Sequence, residues 1–167
     1  MKKTKKIKFK IREINEKDRE WIRKFIIKKW GSEKSISRGK VYYPHKLPGF
    51  VAIENKKYLG LLTYHIAKDK CQITSLNSAV ERKGIGTVLV ERIKKAAKKL
   101  GCKRIWLITT NDNIDALRFW QERGFLIKAV YPNAISFSRK LKPEIPLIGN
   151  YGIPIRDEIK LELKIRN

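Results

Sequence analysis

Apolar and polar side chains change period several times along the chain, and each change predicts a different element. Residues 8–14 alternate basic and apolar side chains, which predicts a first strand. Apolar side chains then recur at helical spacing in residues 16–30, so we expect an amphipathic helix with Trp30 on its buried face and Gly31 at its end. Residues 32–48 have no clear period and contain prolines, which predicts a long loop with room for one helical turn.

The middle of the chain predicts an antiparallel meander. Residues 49–54 and 58–67 are strand-like runs, and residues 55–57 between them have the length and composition of a hairpin turn. A second turn at residues 68–70 leads into a third strand at residues 71–78. Because short connections join neighbouring antiparallel strands, we expect these strands to lie side by side in one sheet.

Helical and strand-like segments alternate in the second half of the chain. Apolar side chains of the helical segments fall on one face, glycines follow the longer helices, and the strand between those helices is nearly all apolar. Antiparallel strands first and β–α–β units later predict an α/β fold, with one mixed sheet and helices on its faces. The predicted elements are helices at residues 85–100, 113–123 and 134–141, strands at 103–109, 125–131 and 155–165, and a loop at 143–154.

Length and composition suit a folded domain. The chain has 167 residues, of which 42% are hydrophobic, enough for a core of its own. Residues 1–7 are a basic run without a following apolar stretch or cleavage site, so we interpret them as a solvated arm and not as a signal peptide. We expect residues 8–167 to form a single domain.

The cysteines and the charge bear on compartment and partners. Cys71 and Cys102 lie in or beside apolar segments without a CxxC spacing, which indicates buried thiols in a cytoplasmic protein. The net charge of +24 favours polyanionic partners such as nucleic acid, an anionic membrane surface or a phosphorylated cofactor. Lysines are spread along the whole chain, so a lysine-rich surface without a specific partner explains the charge equally well.

The stretch at residues 73–90 has the organisation of a phosphate-binding loop. A short apolar strand leads into a loop with Gly84 and Gly86, and a basic amphipathic helix follows at once. Glycine lets the backbone approach an anion closely, and the first turn of a helix offers N–H groups without partners in the helix. Arg82 and Lys83 lie just before the glycines and would add positive charge for more than one phosphate.

The common nucleotide motifs fit this stretch poorly. The dinucleotide fingerprint needs a further glycine where Leu89 stands. A P-loop ends in Gly-Lys-Ser/Thr, whereas this loop has Gly86 followed directly by Thr87. By themselves the glycines therefore indicate an anion site or a tight turn, and neither is excluded.

Two motifs in order give the stretch a more specific interpretation. RKGIGTVLV enters a helix after a strand, and it is followed by Asn113-Ile114-Asp115-Ala116, Phe119-Trp120-Gln121 and Gly124-Phe125. With the predicted order of strands, these motifs resemble the acyl-CoA loop and the N-x-x-A…F-Y…G-F segment of the GNAT N-acetyltransferase superfamily. The resemblance implies a GNAT-like mixed central sheet of about seven strands flanked by about four helices.

The resemblance also implies acetyl-CoA as cosubstrate. The backbone of the glycine turn would hold the pyrophosphate, and the end of the strand before it would pair with the pantetheine arm. Asn113 would reach the same arm, with an ordinary helix cap as the alternative. The residues predicted to bind the cosubstrate are Leu76, Ser78, Val80, Arg82, Lys83, Gly84, Ile85, Gly86, Thr87, Asn113 and Trp120.

Acyl transfer by direct attack needs a neutral amine, so a general base or a water chain is expected. Candidate bases are Asp157 and Glu158, which begin the last strand, and His65, which titrates in the useful range. An exposed acid pair and a structural histidine are the alternatives. No His/Cys/Asp cluster has metal-ligand spacing, so we predict no metal.

Trp120 stands where the family frequently has a tyrosine that protonates the leaving thiolate. An indole N–H donates a hydrogen bond but does not give up its proton at neutral pH. We expect water, Tyr131 or Tyr151 to take this part, or the thiolate to leave unassisted.

Two functions are consistent with the sequence. The first is a cytoplasmic N-acetyltransferase, a monomer or a homodimer, that acts on a primary amine of a small molecule or a protein and has no membrane partner. Its acceptor pocket would be lined by Tyr42, Tyr43 and residues 143–154. The alternative is a catalytically degenerate GNAT-fold protein that uses its basic surface to hold nucleic acid.

Overall fold

The computed structural model describes residues 8–80 and 84–166; the predicted N-terminal arm lies outside this part of the chain. The α-helices are α1 (Arg19–Trp30), α2 (Ile85–Lys99), α3 (Ile114–Glu122) and α4 (Ala134–Leu141). The strands are β1 (Lys10–Glu13), β2 (Ser35–Ser37), β3 (Lys40–Tyr42), β4 (Gly49–Glu54), β5 (Lys57–Ala67), β6 (Lys70–Ser78), β7 (Arg104–Thr110), β8 (Leu126–Tyr131) and β9 (Glu158–Lys164). Within the described residues, no helix is both long and apolar enough to cross a membrane.

Seven strands form one sheet in the order β1-β4-β5-β6-β7-β9-β8. Among these strands β6 and β7 are a parallel pair, and the other neighbours are antiparallel. The predicted mixed sheet, the meander of β4, β5 and β6, and the α/β fold class are confirmed.

The sheet opens at its parallel pair. β6 and β7 are paired only from Lys70 opposite Arg104 to Gln72 opposite Trp106. Beyond this point β6 continues alongside β5, and β7 continues alongside β9. The wedge-shaped gap between the two strands is called the split below.

Helices α2 and α3 cover one face of the sheet. Ile85, Leu89 and Ile93 of α2 are fully buried or nearly so, in the same apolar cluster as Phe125. Burying one such side chain contributes about 1.5–3 kcal/mol relative to leaving it in water. Gly60 of β5 lets α2 approach closely, since a Cβ there would lie 2.6 Å from a methyl group of Ile85.

Helix α1 covers the opposite face. Ile22 and Ile26 pack against Val51 and Leu61 of the sheet. Trp30 was expected on this buried face, but it lies in the last turn of the helix and is 50% exposed.

Asp18 anchors the start of α1. Its fully buried carboxylate accepts hydrogen bonds from the Arg12 guanidinium at 2.7 and 2.8 Å, the Asn15 N–H at 2.8 Å and the Tyr58 hydroxyl at 2.6 Å. The hydrogen bonds from Arg12 lower the pKa of Asp18 to about 2. The ionised carboxylate therefore joins β1, α1 and β5.

Residues 35–42 form a small hairpin, so the prediction of a loop without strands was wrong, whereas a 3-10 turn at Pro44–Lys46 confirms the expected helical turn. β2 pairs with β3 from Ser35 opposite Tyr42 to Ser37 opposite Lys40. The turn between them has positive φ angles at Arg38 and Gly39. Strands of three residues with mixed side chains give too short a pattern for a period to be recognised.

The last strand starts later than its alternating pattern predicts. The N–H of Ile155 donates to the Leu147 carbonyl, and the Arg156 carbonyl accepts from the N–H of Ile135 at the start of α4. These residues pair with the preceding loop and with α4, so β9 joins the sheet only from Glu158.

Candidate active site

The turn before α2 leaves main-chain N–H groups without an acceptor in the helix. Gly84 has φ +73°, and nothing lies within 4 Å of the position that its side chain would take. The N–H of Val88 donates to the Gly84 carbonyl at 3.1 Å. The N–H groups of Ile85, Gly86 and Thr87 therefore have no acceptor within the helix, and the positive end of the helix dipole favours an anion here.

The cations predicted for this turn, Arg82 and Lys83, lie outside the described residues. A different cation reaches the turn from the end of α3. Arg123 Nη2 donates to Thr87 Oγ1 at 2.5 Å, and its guanidinium lies 3.5 Å from the centroid of the Phe119 ring. Sequence reasoning missed this contact, because it joins residues 36 positions apart and no local pattern indicates it.

The edge of β6 that faces the split carries main-chain groups without a strand partner among the described residues. The N–H of Ala79 donates to the Leu59 carbonyl at 2.8 Å, and antiparallel strands alternate the side to which main-chain groups point. Leu76 and Ser78 therefore direct their N–H and C=O groups away from β5 and into the split. Just past the strand, the Val80 carbonyl accepts from the Ser78 hydroxyl at 2.6 Å.

A β-bulge interrupts β6 shortly after it leaves β7. Thr63 of β5 pairs with Ser75, and the next residue of β5 pairs with Ile73, so Thr74 is the extra residue. Buried Thr63 holds the bulge, since its hydroxyl lies 2.8 Å from Thr74 Oγ1 and 2.5 Å from Ser75 Oγ. A bulge leaves main-chain groups outside the ladder, and here it does so at the narrow end of the split.

Helix α3 contributes Asn113 and Trp120. Asn113 Oδ1 accepts from the N–H of Ala116 at 3.2 Å and caps the helix, which leaves its side-chain NH₂ without a hydrogen bond to any described residue. Trp120 is 5% exposed, and its ring meets Phe119 and Phe125 edge-on at 5.1 and 5.0 Å. Most of the Trp120 side chain is therefore part of the core, and its predicted contact with the cosubstrate stays a prediction.

The candidate tyrosines lie at different places. The Tyr151 hydroxyl is 2.8 Å from both carboxylate oxygens of Asp115 in the first turn of α3, and this hydrogen bond raises the pKa of Tyr151. Tyr131 ends β8, and the Arg38 guanidinium lies 3.4 Å from the centroid of its ring.

The candidate bases Glu158 and Asp157 lie at the open end of the split. Glu158 pairs with Thr110, the last residue of β7. Its carboxylate is 2% exposed and accepts from the Arg38 N–H at 3.1 Å and the Ser138 hydroxyl at 3.3 Å. The Asp157 carboxylate accepts from the N–H of Asn133 at 2.7 Å, which lowers the pKa of Asp157.

His65, the third candidate, lies on β5 opposite Gln72, at the closed end of the split. Its ring is tilted against Tyr42 with centroids 5.6 Å apart. Both rings line a cavity of about 90 Å³ together with Trp106. His65 thus lies at the opposite end of the split from Glu158 and Asp157, so the structure brings together only two of the three candidate bases.

The hairpin of β2 and β3 lies on the α1 face of the split, with Ser37 and Tyr42 at the closed end and the turn residue Arg38 at Glu158 at the open end. The Tyr42 hydroxyl donates to Gln72 Oε1 at 3.0 Å, and Gln72 Nε2 donates to Ser37 Oγ at 2.9 Å. Ser35 Oγ donates to the Thr74 carbonyl at the bulge at 3.3 Å. Tyr42 is therefore buried, and not the free pocket residue that was expected.

The loop at 142–157 lies against the end of β7. Asn111 Nδ2 donates to the Pro154 carbonyl at 2.9 Å, and buried Asp112 accepts from the N–H of Asn150 at 2.9 Å. Lys142 Nζ, at the start of the loop, donates to the Lys34 carbonyl at 3.0 Å, and burial lowers the pKa of Lys142. The loop and the hairpin thus frame the split on the face opposite α2.

The chain is similar to known proteins in sequence and in fold. The model of the acetyltransferase (GNAT) family matches residues 11–125. The chain is 46% identical over 147 residues to the uncharacterized protein YdhI of Bacillus subtilis strain 168, covering 87% of this chain and 91% of YdhI. Its fold is similar to that of an IAA acetyltransferase from Bacillus cereus, with a TM-score of 0.70, 20% identity and coverage of 94% and 99% of the two chains. It is also similar to a Bacillus subtilis acetyltransferase in complex with CoA, with a TM-score of 0.70, 21% identity and coverage of 95% and 100%.

Proposed function

Because the chain belongs to the acetyltransferase (GNAT) family, we propose that it transfers the acetyl group of acetyl-CoA to a primary amine of a small molecule or a protein. One observation carries the proposal. The parallel strands β6 and β7 separate beyond Gln72, and β6 leads into a glycine turn after which the first N–H groups of α2 have no acceptor within the helix.

Both parts fit acetyl-CoA. The N–H groups of Ile85, Gly86 and Thr87 would bind the pyrophosphate, with Arg82 and Lys83 adding charge. The free edge of β6 at Leu76 and Ser78 would pair with the amide groups of the pantetheine arm as an added strand does. The complex of the similar Bacillus subtilis acetyltransferase with CoA supports acetyl-CoA as the cosubstrate.

The reaction itself needs few groups from the protein. Acetyl-CoA supplies an activated thioester, and the amine forms the new C–N bond as the C–S bond breaks. Main-chain N–H groups near the bulge at Thr74 would stabilise the negative charge that develops on the carbonyl oxygen. A base would take the proton of the amine, and we assign this part to Glu158, with Asp157 and His65 as the alternatives.

No covalent acetyl-enzyme is required. Burial raises the pKa of the Cys71 thiol to about 12, so this thiol stays protonated and is a poor nucleophile. Cys102 is buried as well, and burial also raises its pKa. The proton for the departing thiolate would come from water, Tyr131 or Tyr151, since the indole of Trp120 does not supply one.

The proposal is tested by a mass-spectrometric search for acetyl transfer. The full chain is incubated with acetyl-CoA and either pooled amines or a cell lysate, and products that gain an acetyl group are identified. Acetyl-CoA and CoA should also raise the melting temperature, since a ligand that binds only the folded state stabilises it. Unchanged melting with both ligands would contradict the proposal, and salt-sensitive binding of nucleic acid without acetyl transfer would favour the degenerate binding protein.

A further inference from the structure

We propose that Arg123 is a positioning residue for the phosphate-binding turn, where it holds the Thr87 hydroxyl so that its proton is available to the pyrophosphate of acetyl-CoA. The inference rests on the proposed function and adds a role for a residue outside the turn. Arg123 follows α3, whereas Thr87 lies in the first turn of α2.

The contacts of Arg123 join the end of α3 to the start of α2. Nη1 donates to the Phe119 carbonyl at 2.7 Å, and Nη2 donates to Thr87 Oγ1 at 2.5 Å. The central carbon of the guanidinium also lies over the Phe119 ring, 3.5 Å from its centroid. The side chain is only 19% exposed, so these contacts fix its position.

The Phe119 ring links the guanidinium to the glycine turn itself. A Cβ on Gly86 would lie 3.3 Å from two atoms of this ring, closer than side chains normally pack. The absence of a side chain at Gly86 therefore allows Phe119 and Arg123 to lie directly behind the N–H groups of the turn.

The hydrogen bond from Arg123 determines whether the Thr87 hydroxyl accepts or donates there. A guanidinium only donates, so Thr87 Oγ1 must accept from Arg123. A hydroxyl has one proton, and Thr87 donates it to no residue that the structure describes. Because Thr87 is in the first helical turn, the proton is available to an anion bound at the helix end.

The charge of Arg123 also suits a phosphate. Its Nε is buried without a hydrogen-bond partner among the described residues, and the nearest carboxylate, that of Glu122, is 3.8 Å from Nη1. A lysine would keep the charge but could not hold Thr87 and the Phe119 carbonyl with a planar fork.

The test measures the dissociation constant of CoA by isothermal titration calorimetry and the stability of each variant by thermal melting. The variants are Arg123→Met, Thr87→Val and the double variant. Arg118→Met is the matched control, because Arg118 lies on α3 five residues before Arg123 and carries the same charge, but is 79% exposed and pairs with Glu122. Arg123→Met should weaken CoA binding by about tenfold and Arg118→Met by less than about twofold.

The double variant separates positioning from a general effect on folding. If Arg123 acts through Thr87, the double variant should bind CoA with about the same affinity as whichever single variant binds CoA more weakly. If Arg123→Met does not fold, Arg123→Lys takes its place, with Arg118→Lys as its control. Arg123→Lys should weaken CoA binding by about threefold relative to Arg118→Lys.

The outcomes are distinguishable from failure of the proposed function. If the unmodified chain does not bind CoA, the proposed function fails. If it binds CoA but Arg123→Met binds as tightly as Arg118→Met, or the losses of Arg123→Met and Thr87→Val add up fully in the double variant, only the role of Arg123 is contradicted.

Discussion

The two sides of the split are built in different ways. On the cosubstrate side, a glycine turn, the start of α2 and the capped start of α3 are formed by residues close together in the sequence, such as Asn113 and Ala116. On the other side, the hairpin, α4 and the loop at 142–157 are joined by contacts over long separations. Arg38 and Glu158 are 120 positions apart, and Lys34 and Lys142 are 108 positions apart.

This difference matches what each side has to bind, the cosubstrate on one side and the acceptor on the other. Pyrophosphate and a pantetheine arm are bound by main-chain groups, which need a glycine turn and an open strand edge more than particular side chains. An amine acceptor must be recognised by side chains of a framed pocket, and such a frame depends on buried polar contacts across the fold. Changes on the two sides should therefore have separable effects on cosubstrate and acceptor.

The largest effect is expected at Glu158. Replacing Glu158 with Gln keeps its size and an acceptor for the Arg38 N–H, but removes the proposed base. The rate of acetyl transfer should fall by about 100-fold or more, with the dissociation constant of acetyl-CoA unchanged within about twofold. Glu162→Gln is the control, since Glu162 is a buried carboxylate further along the same strand.

An unchanged rate in Glu158→Gln would mean that Glu158 only holds the hairpin to α4. The same measurement on Asp157→Asn and His65→Gln would then identify the base, if the protein supplies one.

A second test releases the loop on the acceptor side. Asp112→Ala removes a buried carboxylate that accepts two hydrogen bonds from Asn150, so the free energy of unfolding should fall by about 2 kcal/mol. The KM of the acceptor amine should rise and that of acetyl-CoA should not. Asp69 has a partly exposed carboxylate in the turn before β6, so the control Asp69→Ala should change neither KM value. Equal changes in both KM values for Asp112→Ala would contradict the separation of the two sides.

The anchor of α1 should appear as a pH dependence of stability. The pKa of Asp18 is about 2 in the folded chain, against 3.8 for a free aspartate side chain, so the ionised form stabilises the fold above pH 3.8. This stabilisation, about 2 kcal/mol, should be lost as the pH falls from 4 towards 2. Urea unfolding across this range should show the loss. In Asp18→Asn the stability should no longer depend on pH in this way. A loss of equal size in Asp18→Asn would assign the effect to other carboxylates.

The smallest effect is expected at the glycine turn. Gly84→Ala places a side chain in open space but at φ +73°, which costs about 1 kcal/mol of stability. Gly152→Ala is matched, since Gly152 has φ +71° and equally open space. Both variants should lose similar stability, measured by urea unfolding, whereas only Gly84→Ala should weaken acetyl-CoA binding. Equal affinities in the two variants would argue against a phosphate at this turn.

The sequence predicted the cosubstrate side more fully than the acceptor side, for a physical reason. Gly84 and Asn113 act on their own neighbours, so their types indicate a turn and a cap without further information. The hairpin at 35–42 was missed because Gln72, on a different strand, provides the partners that hold it. Arg123 gave no signal for the same reason, since Thr87 lies across an interface between helices.

The most direct test of the account is hydrogen–deuterium exchange of the full chain with and without acetyl-CoA, read at single amides. The account predicts slower exchange at the free N–H groups of Leu76 and Ser78 and at Ile85, Gly86 and Thr87, with little change in β1 or β8 at the sheet edges. Unchanged exchange at these amides in the presence of saturating acetyl-CoA, or protection confined to another part of the chain, would contradict it.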